Sequence, residues 1–378
     1  MQLFSQSFRS QTMRVVFSVF FLFQVCCLMS CSKVTLTNPV AEEEDNDPSP
    51  PPPPTVDSLT VTGVSGTLSH GNNITISGTV FGSVPQAAPL IWDDFENGSN
   101  NTNLANGWSP YRTPPQPCAL YTNQDAYTGS LSAFNQISQL TGGRPEFATS
   151  YHTFPATDTV YCSYMIKYTV TGDKYSIMKF TRITSDYTGS LSHTPYYNGP
   201  GDFTIQYQAK SDWLYGNYNI GSTPMQKTLD GMKENQWVRI DMYKILSTPG
   251  VKNGTVKWGV NNVTRYSADT LITRETGFTF KQNSVLLGLM VANVQNDGFF
   301  KVYIDNMYVN NTQARVEIGN AATFNACTKR EIQPSSAWAS GSITVKLNKG
   351  TLSSGTAYLY VIDKNGKYNT NGYAITLL

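Results

Sequence analysis

Two short stretches hold the aromatic side chains best placed to meet a ligand: Tyr196-Tyr197, directly before Asn198-Gly199, and Trp213-Leu214-Tyr215-Gly216-Asn217-Tyr218. Both sit among Gly and Asn, where the chain is expected to loop and a large ring has less core to enter. Rings at Tyr196, Tyr197, Trp213, Tyr215 and Tyr218 would stack on the apolar face of a pyranose, and the same rings would serve equally well to anchor loops by packing. Between the two stretches, Phe203 to Lys210 alternates. Phe203, Ile205 and Tyr207 share one face of an extended strand, and Thr204, Gln206, Gln208 and Lys210 share the other. Amides and cations such as Gln206, Gln208 and Lys179 bond hydroxyls or carboxylates, so such a face suits a sugar as well as it suits plain solvent.

Other chemistries find little support. The three histidines, His70, His152 and His193, are too few and too scattered for a His-based metal site or triad, and each is expected on a surface or loop. No Walker loop, dinucleotide glycine motif or nucleophile elbow occurs. With 27 Lys and Arg against 26 Asp and Glu, the formal charge is +1 and no basic run stands out. That excludes a nucleic-acid binder working by counterion release.

The elements that must position these residues are strands. The chain has 378 residues, only 14% charged and 12% aromatic, with 22 Tyr. That composition describes a β-rich extracellular protein with enough length for two domains. In Trp237 to Lys244, Val238, Ile240 and Met242 oppose Arg239, Asp241 and Tyr243; likewise Val302 and Ile304 oppose Lys301, Tyr303 and Asp305. Each strand buries one face, as antiparallel sheets stacked in a sandwich require. The expected fold class is therefore all-β.

The N-terminus carries the compartment. Arg9 and Arg14 precede an apolar run, Val15 to Met29, which is short for a membrane span of ~20 residues and has the form of a secretory signal. Its end, Leu28-Met29-Ser30-Cys31, resembles the bacterial lipobox, which implies lipidation of Cys31, a signal over residues 1–31 and a protein anchored at the cell envelope, on the outer-membrane surface. An ordinary cleaved signal is the alternative. Residues 32–56 hold an acidic cluster from Glu42 to Asp47 and a proline run from Pro48 to Pro54, and read as an extended stalk. Three basic and five acidic residues fall within residues 1–55, so the remainder carries +3. Beyond the signal, Cys118, Cys162 and Cys327 allow at most one disulfide and have no zinc-type spacing.

From Val56 onward strands follow. Gly71-Asn72-Asn73-Ile74-Thr75-Ile76-Ser77-Gly78-Thr79-Val80-Phe81-Gly82 resembles the second strand and turn of an immunoglobulin-like domain of the IPT/TIG family, which implies that Phe81 plugs a sandwich. Such a domain needs roughly seven strands. Four more are expected around Arg315–Gly319, Lys329–Pro334, Gly341–Leu347 and Ala357–Ile362, so residues 57–89 and 313–378 are read as one immunoglobulin-like sandwich interrupted by a large insertion. Two independent small units flanking the middle are the competing arrangement.

The middle, residues 90–312, opens with Ile91-Trp92-Asp93-Asp94-Phe95-Glu96-Asn97-Gly98 and closes with Phe299-Phe300-Lys301-Val302-Tyr303-Ile304-Asp305-Asn306-Met307-Tyr308-Val309. Between them lie Gln236 to Lys244 and Val256-Lys257-Trp258-Gly259-Val260-Asn261. These pieces resemble the first, last and hairpin strands of concanavalin A-like jelly rolls, a group with both lectins and polysaccharide lyases. The resemblance implies a polysaccharide partner. Calcium is compatible with such a fold, but beyond Asp93-Asp94 and Asp297 no compact acidic loop shows ligand spacing, and no cofactor or metal residue is assigned.

Hydrolases of this group use a Glu-x-Asp-x-x-Glu strand, which is absent. Its lyases use Tyr or His to move a proton, with Arg, Asn or Gln neutralising the uronate carboxylate. The residues this implies here are Arg144, Glu146, His152, Lys179, Arg182, Gln206, Tyr207 and Gln208. The lyase strands Arg-x-Glu-x-Arg and Gln-Ile-His are missing, and Gln206-Tyr207-Gln208 echoes the second only in part. Lys179 and Arg182 differ in parity, so a regular strand would send them to opposite faces. The leading expectation is a surface lipoprotein that binds polysaccharide without cleaving it, Lys179 and the aromatic pairs making the contacts. A lyase acting on a uronate polymer is the alternative, and a purely structural or adhesive role the third.

Overall fold

The computed structural model describes residues 58–112, 117–138, 146–171, 177–188, 199–208, 213–292 and 299–378. The signal and lipidation site at Cys31, the stalk, Arg144, Tyr196, Tyr197, Lys210 and Asp297 lie outside the described residues. Every strand pairing among those described is antiparallel. Among the described residues the single helix is a one-turn 3₁₀ segment, Phe324–Ala326.

The chain opens with β1 (Thr60–Gly66) and β2 (Asn73–Thr79). Next come β3 (Ile91–Asp93), β4 (Ser109–Arg112), β5 (Leu120–Thr122), β6 (Ser132–Ser138), β7 (Glu146–Thr157), β8 (Thr159–Thr171) and β9 (Ile177–Ser185). They are followed by β10 (Phe203–Gln208), β11 (Trp213–Asn219), β12 (Pro224–Leu229), β13 (Val238–Ile245), β14 (Gly254–Val260) and β15 (Val263–Leu271). Two long strands, β16 (Gln282–Ala292) and β17 (Phe299–Asn310), complete this part. The C-terminal run is β18 (Arg315–Gly319), β19 (Arg330–Gln333), β20 (Ser335–Ala339), β21 (Ser342–Lys346), β22 (Gly355–Ile362) and β23 (Tyr373–Leu377).

Four sheets result. A seven-stranded sheet, in the order β12-β11-β10-β9-β16-β7-β4, faces an eight-stranded one in which β15-β14-β13-β8-β17-β6-β5 run in sequence and β3 pairs with β17. One apolar core lies between them, built from the alternate residues of both. Phe203, Ile205 and Tyr207 come from β10, Val238, Ile240 and Met242 from β13, and Val302 and Ile304 from β17. The two smaller sheets, β1-β2-β21-β20 and β19-β18-β22-β23, close over a second core containing Ile74, Ile76, Phe81, Val316, Ile318 and Leu359. N-terminal and C-terminal strands thus share one sheet: Thr75 of β2 pairs with Thr344 of β21. Phe81 is fully enclosed. Cys118, Cys162 and Cys327 are all free and buried.

The two sandwiches meet through charge. The polar face of β13 is covered by the smaller sandwich rather than by solvent. Glu317 of β18 is fully buried and takes Arg239 and Arg315 on one oxygen, both at 2.7 Å, and Arg330 on the other at 2.6 Å. Asp241 adds a 2.9 Å contact to Arg239, and Tyr161 donates to Asp241 at 2.5 Å. Burial opposes the charge on Glu317, but the three guanidiniums overcome it and hold the carboxyl well below the usual range.

Candidate functional site

The outer face of the seven-stranded sheet, opposite its core, collects most of the chemistry. Directly paired residues on neighbouring strands point to the same side, so the registers define two rows across six strands. The first runs Phe147, Met290, Lys179, Gln206, Tyr215 and on to Thr228. The second runs Tyr151, Leu286, Arg182, Thr204, Asn217 and Gln226. One end of the face is aromatic and apolar: Phe147, Leu286 and Met290 pack together against Tyr151, and Tyr111 of β4 sets its ring edge-on to Phe147 at 4.9 Å. The middle is cationic, and the far end carries amides and hydroxyls and opens to solvent at Gln226 and Thr228 of the edge strand.

Lys179 and Arg182 stand on the same face, against the expectation from their parity. The pairing with β10 slips where Ile205 faces Thr181 but Gln206 faces Lys179. Phe180 is the extra residue of a β-bulge, and it and Thr181 both turn inward. A second slip on β16, between Leu287 and Met290, accommodates it.

Asp202, just before β10, completes the centre. Arg182 Nη1 lies 3.5 Å from Asp202 Oδ2, which also accepts the Gly199 N–H at 2.7 Å. The Arg182 guanidinium sits 6.0 Å over the Phe147 ring. Arg182 and Asp202 are fully buried and Lys179 is 4% exposed. Burial removes water from the Lys179 ammonium and Arg182 repels it, and the opposing pull of Asp202 is smaller; the amine is pushed down to about 7. A lysine in that state is a hydrogen-bond acceptor and a base near neutral pH. Tyr215, on the same row two strands away, is pushed above the ordinary phenol value by burial.

The remaining expected residues are distributed as follows. Gln206 is on the face, between Lys179 and Tyr215. Tyr207 is not: it faces the core, its ring 4.8 Å from Tyr168. Gln208 pairs with Trp213 and Ile177 at the strand ends. Trp213 to Asn219 form strand β11 rather than a loop. Tyr218 therefore turns inward against Trp258, at 6.0 Å, while Tyr215 reaches the outer face. Gly216 makes this possible, because a Cβ there would come within 2.4 Å of the Trp258 ring.

His152 pairs with Val285 on the core side of β7, at the sandwich rim, where its ring meets Trp108 edge-on at 5.4 Å and its nitrogens face the carbonyls of Thr153 and Asn106. It is on the opposite side of the sheet from Lys179. Among the described residues no group of three His, Cys, Asp or Glu could hold a metal ion. Asp93 instead accepts Trp108 Nε1 and the Phe95 N–H, each at 2.8 Å. Asp202 and Asn217 were not singled out from the sequence. Asn217 shares its parity with Tyr215, and that signal could have placed it once β11 is known to be a strand.

No family model matches the chain, and no curated protein does. Among solved structures, the chain is similar to the endo-β-1,4-glucuronan lyase of the fungus Trichoderma reesei at 13% identity, over 56% of this chain and 94% of that one, with a TM-score of 0.44. A PL-14 alginate lyase from Aplysia kurodai gives 13% identity, 51% and 87% coverage and a TM-score of 0.40. The cellulose induced protein Cip1 gives 15%, 59% and 97%, and 0.39. Likeness at this level leaves the activity of the chain to its own residues.

Proposed function

We propose that the chain binds an acidic polysaccharide on the outer face of the seven-stranded sheet, as a lipoprotein held at the bacterial cell envelope through Cys31. The observation that carries this reading is the bulge at Phe180, which brings Lys179 onto the same face as Arg182, with Gln206 and Thr204 paired beside them. A uronate carboxylate is drawn to these two basic side chains. Gln206 and Thr228 on the first row and Asn217 on the second then supply partners for hydroxyls, and Tyr215 a ring. Arg182, fully enclosed, acts through its field. Affinity electrophoresis in gels containing alginate or polygalacturonate tests it: the protein should be retarded, less so at high salt, and Lys179→Met should weaken the effect. No retardation by either polymer would sink the proposal. Labelling with radioactive palmitate, lost in Cys31→Ala, tests the anchor.

The Lys179 amine at about 7 favours a second reading, β-elimination. In that reaction Lys179 Nζ takes the proton next to the uronate carboxylate, the bond to the leaving sugar oxygen breaks as the carbon–carbon double bond forms, and the Tyr215 hydroxyl gives that oxygen its proton. Strands are spaced by ~4.8 Å, so the two backbones stand about 10 Å apart and both long side chains must reach inward over Gln206. The ultraviolet absorbance of the unsaturated uronate product tests this reading. It should grow with a rate that rises through about pH 7 as the amine loses its proton, and vanish in Lys179→Met. Binding without product leaves the first reading alone standing.

A further inference from the structure

Beside the charged seam between the sandwiches lies a cleft of about 470 Å³, inside the ~300–1,000 Å³ range of small-molecule sites. One wall is the outer face of the eight-stranded sheet, with Tyr243 and Lys257 from β13 and β14 and Asn262 from the turn that follows; the other is the smaller sandwich, with Arg315, Asn325 and Tyr368. The wall is polar and aromatic together. Tyr368 stacks on Phe324 at 4.0 Å, and Lys257 Nζ lies 5.9 Å over the Tyr243 ring.

Two features point to an anion. Arg315 gives its Nε to Glu317 at 2.7 Å and its Nη1 to the Gln313 carbonyl at 2.8 Å, while Nη2 has no acceptor among the described residues and the side chain keeps 12% exposure. On the facing wall, Lys257 has no ion pair with a carboxylate among the described residues, and its Nζ reaches over the Tyr243 ring into the cleft. Glu317 and the Gln313 carbonyl hold the Arg315 guanidinium in place before any ligand arrives.

We infer that this cleft is a second binding site, which takes one uronic-acid unit. The carboxylate sits between Arg315 Nη2 and Lys257 Nζ, the hydroxyls meet the Asn262 and Asn325 amides, and the sugar ring lies against the aromatic wall of Tyr243 and Tyr368. The ligand class rests on the proposed function; the site itself does not, because it lies on the other sheet of the sandwich. Two such sites would let one protein hold a polymer at two places, gaining avidity without new contacts.

Titration calorimetry with a galacturonate tetrasaccharide, and cellotetraose as the neutral control, separates the possibilities. The wild type should show two sites for the uronate and none of comparable strength for cellotetraose. Lys257→Glu reverses the charge on one wall of the cleft and should weaken one site by about tenfold or more, as should Tyr368→Ala, while the site lost in Lys179→Met persists. Melting temperatures near that of the wild type confirm that the variants are folded. If Lys257→Glu and Tyr368→Ala leave the isotherm unchanged, the cleft is not a site, whatever Lys179→Met does. If Lys179→Met alone changes nothing, the sheet face fails and the cleft stands; no heat from the uronate overturns both.

Discussion

Replacing Glu317 by Gln keeps the shape of the seam and removes the one charge on which three guanidiniums converge. Arg239, Arg315 and Arg330 have side chains only 6–12% exposed, so none can recover its hydration by turning outward. Leaving buried charges without their partner costs about 3–5 kcal/mol. At ~2 °C per kcal/mol for a unit of this size, the melting temperature should fall by roughly 6–10 °C. The pH dependence adds an independent check. Because the folded carboxyl lies well below its ordinary 4.5, the stabilisation is fully present above that value and is lost as pH falls beneath it. The gap between wild type and Glu317→Gln should therefore be constant above about pH 5 and narrow in acid. Replacing Glu317 and all three arginines together by apolar residues of similar length should be far milder, since no charge is then stranded. Differential scanning calorimetry reads each case. A shift of the single variant within about 1 °C at neutral pH, less than 1 kcal/mol would give, would refute the seam as a clamp.

Three further outcomes follow from buried groups. Lys244 is fully enclosed, its Nζ donating to the Gly201 carbonyl at 3.0 Å and lying 5.7 and 5.9 Å over Phe203 and Tyr218; burial pushes it down to about 7. The unfolded lysine keeps its proton up to its ordinary 10.5, so stability should rise with pH between about 7 and 10.5, and Lys244→Met should flatten that slope in melts across the range. Asp93 is raised by burial to about 6, so its contribution to stability should fall as pH climbs from 3.8 to 6, and Asp93→Asn should remove the trend from the same melts. Gly216→Ala forces a methyl into the Trp258 ring and should cost about 1–3 kcal/mol in urea unfolding.

Core faces were legible in the sequence because they depend on one strand at a time. Val238, Ile240 and Met242 alternate with Arg239, Asp241 and Tyr243, and the first three do enter the core. What alternation cannot say is what covers the other face. For β13 it is a second protein surface, which is why Arg239 and Asp241 are structural partners of Glu317 and not a solvated fringe. The hint was present in β18, where Arg315 and Glu317 alternate with Val316 and Ile318, but a salt bridge across 78 positions has no local signature.

The candidate site was less legible, because it depends on pairing among several strands at once. Gly216 and Asn217 look like loop residues by composition, yet a glycine is what a central strand needs where a Trp258 ring presses on its backbone. That reading placed Tyr218 outside, when strand geometry turns it inward and Tyr215 outward. Lys179 and Arg182 show the same limit from the other side. Parity alone separates them, and only the slips against β10 and β16 reveal the bulge at Phe180 that reunites them. A bulge needs a partner strand to define it, so two cations on one polar face, the feature that most favours an acidic ligand, are a property of the sheet and of no single segment of the chain.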